Sequence, residues 1–172
     1  MSAVETASSA VAVLAFLYLA VISVVLWVID AGTHRLPNRI VLPGYAVGVG
    51  LLGIATALAG DPHRLGRALL GMGALFAGYF ILRMASPTSI GGGDVKLAGL
   101  LGLYLGWLGW SGLVIATAAA FLIGGVHALV LLARRRATRS TRIPFGPAMI
   151  GGAWLAIALS VLPLGSLTIV SA

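Results

Sequence analysis

Residues 11–29 read VAVLAFLYLAVISVVLWVI, a run in which no side chain carries a charge. A helix of about 20 apolar residues, rising about 1.5 Å per residue, crosses the hydrocarbon core of a bilayer. No Lys or Arg precedes the run and no small-x-small cleavage site follows it, so we expect a permanent span rather than a cleaved signal peptide. This stretch predicts an integral membrane protein.

The composition of the whole chain agrees with this prediction. Of the 172 residues, 60% are hydrophobic and 9% are charged, whereas a typical soluble domain is about 25% charged. The mean hydropathy is +1.09. A soluble globule of this size could not bury so much apolar surface. The sequence contains no cysteine, which excludes disulfides, cysteine-ligated zinc and thiol nucleophiles.

Further apolar runs predict an all-α, polytopic membrane protein: a bundle of about six transmembrane helices forming a single domain over residues 1–172. The predicted spans are residues 9–29, 40–59, 65–84, 95–108, 111–133 and 145–163, of which the fourth is short. Glycine pairs with small-xxx-small spacing, such as Gly44/Gly48 and Gly102/Gly106, indicate close packing between helices.

The distribution of basic residues predicts the orientation of the bundle. Most of the eleven lie near the loops after spans one, three and five: Arg35, Arg39, Arg83, Lys96, Arg134, Arg135, Arg136, Arg139 and Arg142. Only Arg64 and Arg67 lie on the other side. By the positive-inside rule these odd-numbered loops face the cytoplasm and both termini lie outside. The net charge of +7 then reflects topology rather than nucleic-acid binding. Trp107 and Trp110 are predicted in an aromatic belt at the outer boundary.

The predicted topology divides the four acidic residues into two pairs. Glu5 and Asp61 lie outside, whereas Asp30 closes span one and Asp94 opens span four at the cytoplasmic face. Two carboxylates held close together can share one proton, so that one acts as an acid and the other as a base. Such a pair can hydrolyse a peptide bond without a metal. A structural interpretation is also open: Asp94 could be the N-cap of its helix, and Asp30 a solvated helix end.

Three short motifs surround these aspartates, and they decide between the two interpretations. They are Pro37-Asn38 after Asp30, Gly91-Gly92-Gly93 before Asp94 with Val95-Lys96-Leu97 after it, and Phe145-Gly146-Pro147 at the last span. In order and spacing they resemble the motifs of type IV prepilin leader peptidases, which are membrane aspartyl proteases with a Gly-x-Gly-Asp motif. A lone Gly-x-Gly-Asp would be a weak signal, but the three together are specific.

The resemblance implies a prepilin-type aspartic endopeptidase of a prokaryotic plasma membrane. It would remove the leader peptide of prepilins or pilin-like secretion subunits at the cytoplasmic boundary. Asp30 and Asp94 would be the catalytic pair, without metal or cofactor. The implied partners are a substrate with an N-terminal leader and a hydrophobic helix, together with membrane lipid, and no nucleic acid. The longer members carry a methylating region with four zinc-binding cysteines, so we expect the minimal peptidase-only form here.

The resemblance also implies substrate-binding or site-shaping roles for Gly91, Gly92, Gly93, Pro37, Asn38, Lys96, Phe145, Gly146 and Pro147. Lys96 lies two residues after Asp94 and should point to another side of the helix. We expect its ammonium group to reach the membrane surface as an anchor, with substrate or headgroup contact as the alternative. Asn38 could instead form a hydrogen bond within the site.

Other functions fit less of the sequence. Preflagellin processing and presenilin-like intramembrane proteolysis would share the Gly-x-Gly-Asp element, but the Pro-Asn and Phe-Gly-Pro elements argue against the presenilin-like case. A small proton-coupled transporter is the alternative outside enzymes. It would need an acid near the middle of the bilayer, and no acid lies in the middle of a predicted span.

Overall fold

The computed structural model describes residues 2–86, 90–134 and 144–162, and within these ranges the chain forms six α-helices and no strand. The helices are α1 (Ala3–Thr33), α2 (Asn38–Ala59), α3 (Pro62–Ala85), α4 (Gly92–Leu108), α5 (Trp110–Ala133) and α6 (Gly146–Val161). The all-α prediction is confirmed. α1 extends beyond its predicted span by at least one turn at both ends, and the predicted end of the last span, Pro163, lies outside the described residues.

Four of these helices, α1, α2, α3 and α5, are long and apolar enough to cross a membrane. α4 and α6 have 17 and 16 residues and are shorter than a typical span. α4 is the central helix, because all its residues from Asp94 to Trp107 except Lys96 are buried. A helix packed on every side is apolar all round, which explains why no polar face is visible in its sequence.

Proline and glycine define several helix boundaries. Pro37 is the N-cap of α2 and Pro62 is the first residue of α3, where the missing N–H has no consequence. Gly60 ends α2 with a φ of 67°, a left-handed conformation that glycine adopts without strain. His34 ends α1 in a similar conformation with a φ of 54°, and its N–H donates to the carbonyl oxygen of Asp30 over 2.9 Å.

Consecutive helices pack most extensively in pairs, α1 with α2, α3 with α4 and α5 with α6. Glycines allow this close approach, as the sequence predicts. A Cβ atom on Gly106 would lie 3.2 Å from the Cα atom of Gly71, and one on Gly71 would lie 2.7 Å from the carbonyl oxygen of Gly102. A Cβ atom on Gly48 would lie 2.9 Å from Leu103 Cδ2. The small residues therefore set how closely α4 packs against α2 and α3.

α1, α3 and α5 end, and α2, α4 and α6 begin, at one end of the bundle, which we call the aspartate end because it holds Asp30 and Asp94. At the opposite end, Trp107 is 9% exposed and its indole N–H donates to Thr56 Oγ1 over 3.0 Å. Trp107 thus lies at the predicted end of the bundle, but its indole group is held inside the protein rather than exposed at the surface. Trp110 is 50% exposed, which fits the predicted belt.

Candidate active site

Both aspartates that the sequence singles out are buried at the aspartate end. Asp30 lies in the last turns of α1 and is 4% exposed, and Asp94 lies in the first turn of α4 and is 8% exposed. The interpretation of Asp30 as a solvated helix end is therefore wrong. A carboxylate removed from water is costly unless it is hydrogen-bonded or neutralised, so the surroundings of each side chain matter.

The first residue of α6 binds the Asp30 carboxylate. The N–H of Gly146 donates to Asp30 Oδ2 over 3.1 Å. N–H groups in the first turn of a helix lack partners within the helix and carry partial positive charge, so this contact favours the ionised carboxylate. A Cβ atom on Gly146 would lie 3.0 Å from Asp30 Cγ and closer still to Oδ2. Any side chain at position 146 would therefore displace the Asp30 carboxylate.

The residues on either side of Gly146 hold the start of α6 in place. The Phe145 ring lies 5.3 Å from Phe121 and 6.2 Å from Tyr79, measured between ring centroids. It also packs against Gly124, where a Cβ atom would lie 2.7 Å from Phe145 Cε2. Pro147 is the second residue of α6, a position that suits proline. The Phe-Gly-Pro motif thus combines an aromatic anchor, a position without a side chain beside Asp30, and a helix start.

The Asp94 carboxylate caps its own helix. Its Oδ2 accepts a hydrogen bond of 2.9 Å from the N–H of Gly91, the residue that precedes α4. Asp94 is the third residue of α4 and not its N-cap. It therefore caps the helix as predicted, but from the third position and by accepting the N–H of the N-cap residue. This contact uses only Oδ2, so the other carboxylate oxygen of Asp94 is left for proton transfer. Capping and a chemical role for Asp94 are therefore compatible.

The three glycines before Asp94 have different surroundings. A Cβ atom on Gly93 would lie 2.8 Å from the Cβ atom of buried Leu36, which leaves no space for a side chain. A Cβ atom on Gly92 would lie 2.8 Å from Nη1 of Arg83, the flexible end of a long side chain. Gly91 has an extended backbone that any residue can adopt, with a φ of −74°. The glycine requirement is therefore strictest at Gly93.

Arg83 is a site residue that the sequence does not single out. It lies in the last turn of α3, and its guanidinium group packs against Gly92 at the start of α4. In the sequence it is one of several basic residues on the predicted cytoplasmic side, and only its position shortly before the Gly-x-Gly-Asp motif could have suggested more.

Asp94 precedes the apolar stretch 95–108, and its surroundings change its acidity. Burial raises the pKa of Asp94 to about 6. The hydrogen bond from Gly91 and the charge of Arg83 act in the opposite direction, whereas the nearby Asp30 carboxylate raises the pKa further. The two carboxylates are thus close enough to interact electrostatically. Such a pair can hold one proton, with one acid protonated and the other ionised.

Lys96 and Asn38 lie together at the edge of this site. Lys96 Nζ donates a hydrogen bond of 2.8 Å to Asn38 Oδ1, and the Tyr45 hydroxyl donates to the carbonyl oxygen of Lys96 over 2.5 Å. Lys96 does not pair with Asp94, as the helical spacing predicts. Its ammonium group is instead held by the first residue of α2, next to Pro37. Among the residues that the structure describes, no group of three or more His, Asp or Glu side chains could hold a metal ion.

The fold and these contacts define a class: a polytopic helical membrane protein with two interacting buried aspartates at one end of its bundle. The sequence profile of the type IV leader peptidase family matches residues 13–129, a range that includes both Asp30 and Asp94. The chain therefore belongs to the type IV leader peptidase family. No solved structure matches it.

Curated relatives support this membership. The prepilin leader peptidase/N-methyltransferase of Pseudomonas putida is 31% identical over 132 residues, which cover 75% of this chain and 44% of the relative. Its counterpart in Aeromonas salmonicida is 32% identical over 154 residues, covering 84% and 48%. Leader peptidase HopD of Salmonella typhimurium is 32% identical over 148 residues, covering 83% and 86%. The chain thus spans about half the length of the first two proteins.

Proposed function

We propose that this chain is a membrane aspartyl endopeptidase that removes the leader peptide of prepilins or pilin-like secretion subunits. Its catalytic pair would be Asp30 and Asp94, acting at the cytoplasmic boundary of the membrane. The observation that carries the proposal is the burial of both aspartates at one end of the bundle, each bound by the N–H of a motif glycine. Family membership and the names of the relatives support a prepilin-type substrate.

The surroundings of the two acids suggest how they divide the chemistry. Asp94, whose pKa is raised to about 6, holds the proton and donates it to the scissile carbonyl oxygen. Asp30, whose carboxylate accepts the hydrogen bond of the Gly146 N–H, takes a proton from the attacking water. The water oxygen bonds to the carbonyl carbon and gives a tetrahedral intermediate. The proton on Asp30 then passes to the leaving amine as the C–N bond breaks, and Asp94 recovers its proton.

The charges of the bundle support a cytoplasmic position for the aspartate end. Arg35, Arg39 and Arg134 are exposed there. At the opposite end, Arg67 donates through Nε to the carbonyl oxygen of Gly106 over 2.8 Å and is engaged in the protein. The positive-inside rule therefore favours this orientation, with the N-terminus outside.

Cysteine labelling tests the orientation directly, because the chain contains no cysteine. Thr33→Cys and His63→Cys introduce single thiols at exposed positions on opposite ends of the bundle. We expect a membrane-impermeant maleimide added to spheroplasts to label His63→Cys at once and Thr33→Cys only after lysis. The reverse pattern would contradict the orientation.

The central experiment is cleavage. The purified chain is reconstituted in vesicles with a pilin-type precursor, and the products are mapped by mass spectrometry. We expect one cut at the junction between the leader and the apolar helix, and none with an Asp94→Asn chain purified in parallel. A cut inside the apolar helix would instead indicate intramembrane proteolysis of the presenilin-like kind. Proton flux across vesicles without cleavage would indicate a transporter.

A further inference from the structure

An apolar groove lies between α1 and α6 on the outside of the bundle. Two cavities of about 530 Å³ and 410 Å³ form it, and both are lined by Ala20 and Trp154, which makes the groove continuous. Toward the aspartate end its walls include Val28 of α1 and Gly151 of α6. At the other end the groove reaches Arg64. We call this surface the α1–α6 groove.

The groove leads to one of the two aspartates. Its α1 wall includes Ser23 and Trp27, and Asp30 follows one turn beyond Trp27 on the same side of α1. Its α6 wall begins at Ile150, about one turn after Gly146. The N–H of Gly146 is the group that binds the Asp30 carboxylate. The two helices that form the groove are therefore the same two that hold Asp30, and the α1 wall of the groove ends within one turn of that residue.

The length of the groove fits a helix that crosses the membrane. Along α1 its lining residues extend from Ser8 to Val28. About 20 helical residues rise about 30 Å, the thickness of the hydrocarbon core. A single lipid chain covers only one leaflet, so a continuous groove of this length suits a transmembrane helix better.

The charges at the two ends of the groove favour one direction of that helix. The carboxylate of Asp30 lies just beyond one end of the groove, and Arg64 lines the other end. The guanidinium group of Arg64 donates to Asp61 Oδ2 over 3.0 Å and stacks on the Trp107 ring, so Asp30 is the charge that sets the direction of the occupant. A helix carries partial positive charge at its N-terminus and partial negative charge at its C-terminus. The complementary orientation places the N-terminus of the occupant beside Asp30.

We propose that the α1–α6 groove docks the apolar helix of the pilin-like substrate, with the N-terminus of that helix at the aspartate end. This inference rests on the proposed function. When the substrate helix docks in this direction, the residues that precede it lie beside Asp30. The leader would be cut there.

Cross-linking tests the docking, and the chain's lack of cysteine makes single thiols informative. Val28→Cys and Val13→Cys place thiols at the two ends of the groove, on side chains that are 67% and 56% exposed. Gly73→Cys is the matched control on α3, at an exposed position where a Cβ atom would have no neighbour within 4 Å. Each variant also carries Asp94→Asn, so that the precursor stays intact. The probe is a pilin-type precursor with one cysteine near the start or the end of its helix.

We expect a cysteine near the start of the precursor helix to form a disulfide with Val28→Cys, and one near its end to form a disulfide with Val13→Cys. Gly73→Cys should form neither. Exchanged partners would overturn the orientation. Disulfides with Gly73→Cys as abundant as those in the groove would overturn the docking site.

Filling the groove is a second measurement. A Cβ atom on Gly151 makes only an ordinary contact of 3.5 Å with Ile123, so Gly151→Leu fits the bundle and extends into the groove. We expect its KM for the precursor to rise about tenfold or more, with little change in kcat. Gly73→Leu, which adds the same side chain to α3, should leave both constants unchanged. An unchanged KM in Gly151→Leu would contradict the proposal.

The two proposals fail in distinguishable ways. If the unmodified chain cleaves the precursor but no groove disulfide forms, the docking site is wrong and the peptidase function stands. If groove disulfides form but the unmodified chain does not cleave, docking is supported and the peptidase function is wrong.

Discussion

The ammonium group of Lys96 donates a hydrogen bond of 2.8 Å to the side-chain oxygen of Asn38, which joins the second turn of α4 to the first residue of α2. Asp94 lies two residues before Lys96, so this bond helps to fix the helix start that carries Asp94. It also connects two of the sequence motifs, because Asn38 belongs to the Pro-Asn pair and Lys96 follows the Gly-x-Gly-Asp element.

A double-mutant cycle measures this connection. We expect Lys96→Met and Asn38→Ala each to lower stability, and the double variant to lose less than the sum. The coupling should be about 0.5–1 kcal/mol, because the pair is partly exposed. Unfolding midpoints in detergent micelles provide the measurement. Strictly additive effects would show that the bond contributes nothing.

Asp30→Asn and Asp94→Asn should each reduce leader removal by about 10²–10⁴-fold or more, because an amide cannot exchange a proton in the reaction. Asp61→Asn is the matched control at the opposite end of the bundle, where the carboxylate only pairs with Arg64. It should retain full cleavage. Elution profile and unfolding midpoint establish that each variant is folded. Cleavage by either active-site variant at the native rate would refute the catalytic pair.

The glycines before Asp94 should differ in their tolerance of alanine. Gly93→Ala places a methyl group 2.8 Å from the Leu36 Cβ atom, and overpacking of this kind costs about 1–3 kcal/mol. Gly92→Ala meets only the movable end of Arg83, so its cost should be small. Unfolding midpoints and cleavage rates of the two variants, measured side by side, provide the comparison. Equal losses of stability and cleavage in the two variants would show that the close contact between Gly93 and Leu36 does not restrict position 93 to glycine.

The raised pKa of Asp94 predicts a dependence on pH. Between its ordinary value of 3.8 and about 6, the folded protein binds this proton more strongly than the unfolded chain. The contribution of Asp94 to stability therefore falls as the pH rises through this window. Cleavage should also decline on the alkaline side, because ionised Asp94 cannot donate. Rates and unfolding midpoints measured from pH 4 to pH 8 test both statements, and Asp94→Asn should remove this part of the stability change.

The sequence predicts the helices well because their signals are local. An apolar run defines each span, and Pro37, Gly60 and Pro62 mark the boundaries that the structure shows. The position of Asp30 and Asp94 at one end follows from counting crossings, which needs no knowledge of packing. These features depend on neighbours in the chain and are visible there.

The contacts that define the site are not visible in the sequence because they join distant residues. Gly146 and Asp30 are 116 positions apart, and no local pattern indicates that the N–H of one binds the carboxylate of the other. Arg83 beside Gly92 is a similar case. Trp107 is a further case: the sequence predicts the end of the bundle where it lies, but not that its indole N–H binds Thr56 inside the protein.

The paired packing of the helices has a consequence for the assembly of the protein. Asp30 belongs to the α1–α2 hairpin, Asp94 to the α3–α4 hairpin, and the Gly146 N–H that binds Asp30 to the α5–α6 hairpin. No hairpin contains the whole arrangement. A chain inserted into the membrane from its N-terminus would carry both acids before the last hairpin arrives. On the proposed assignment it would gain activity only after α5 and α6 have been inserted, so that cleavage reports that all three hairpins have come together.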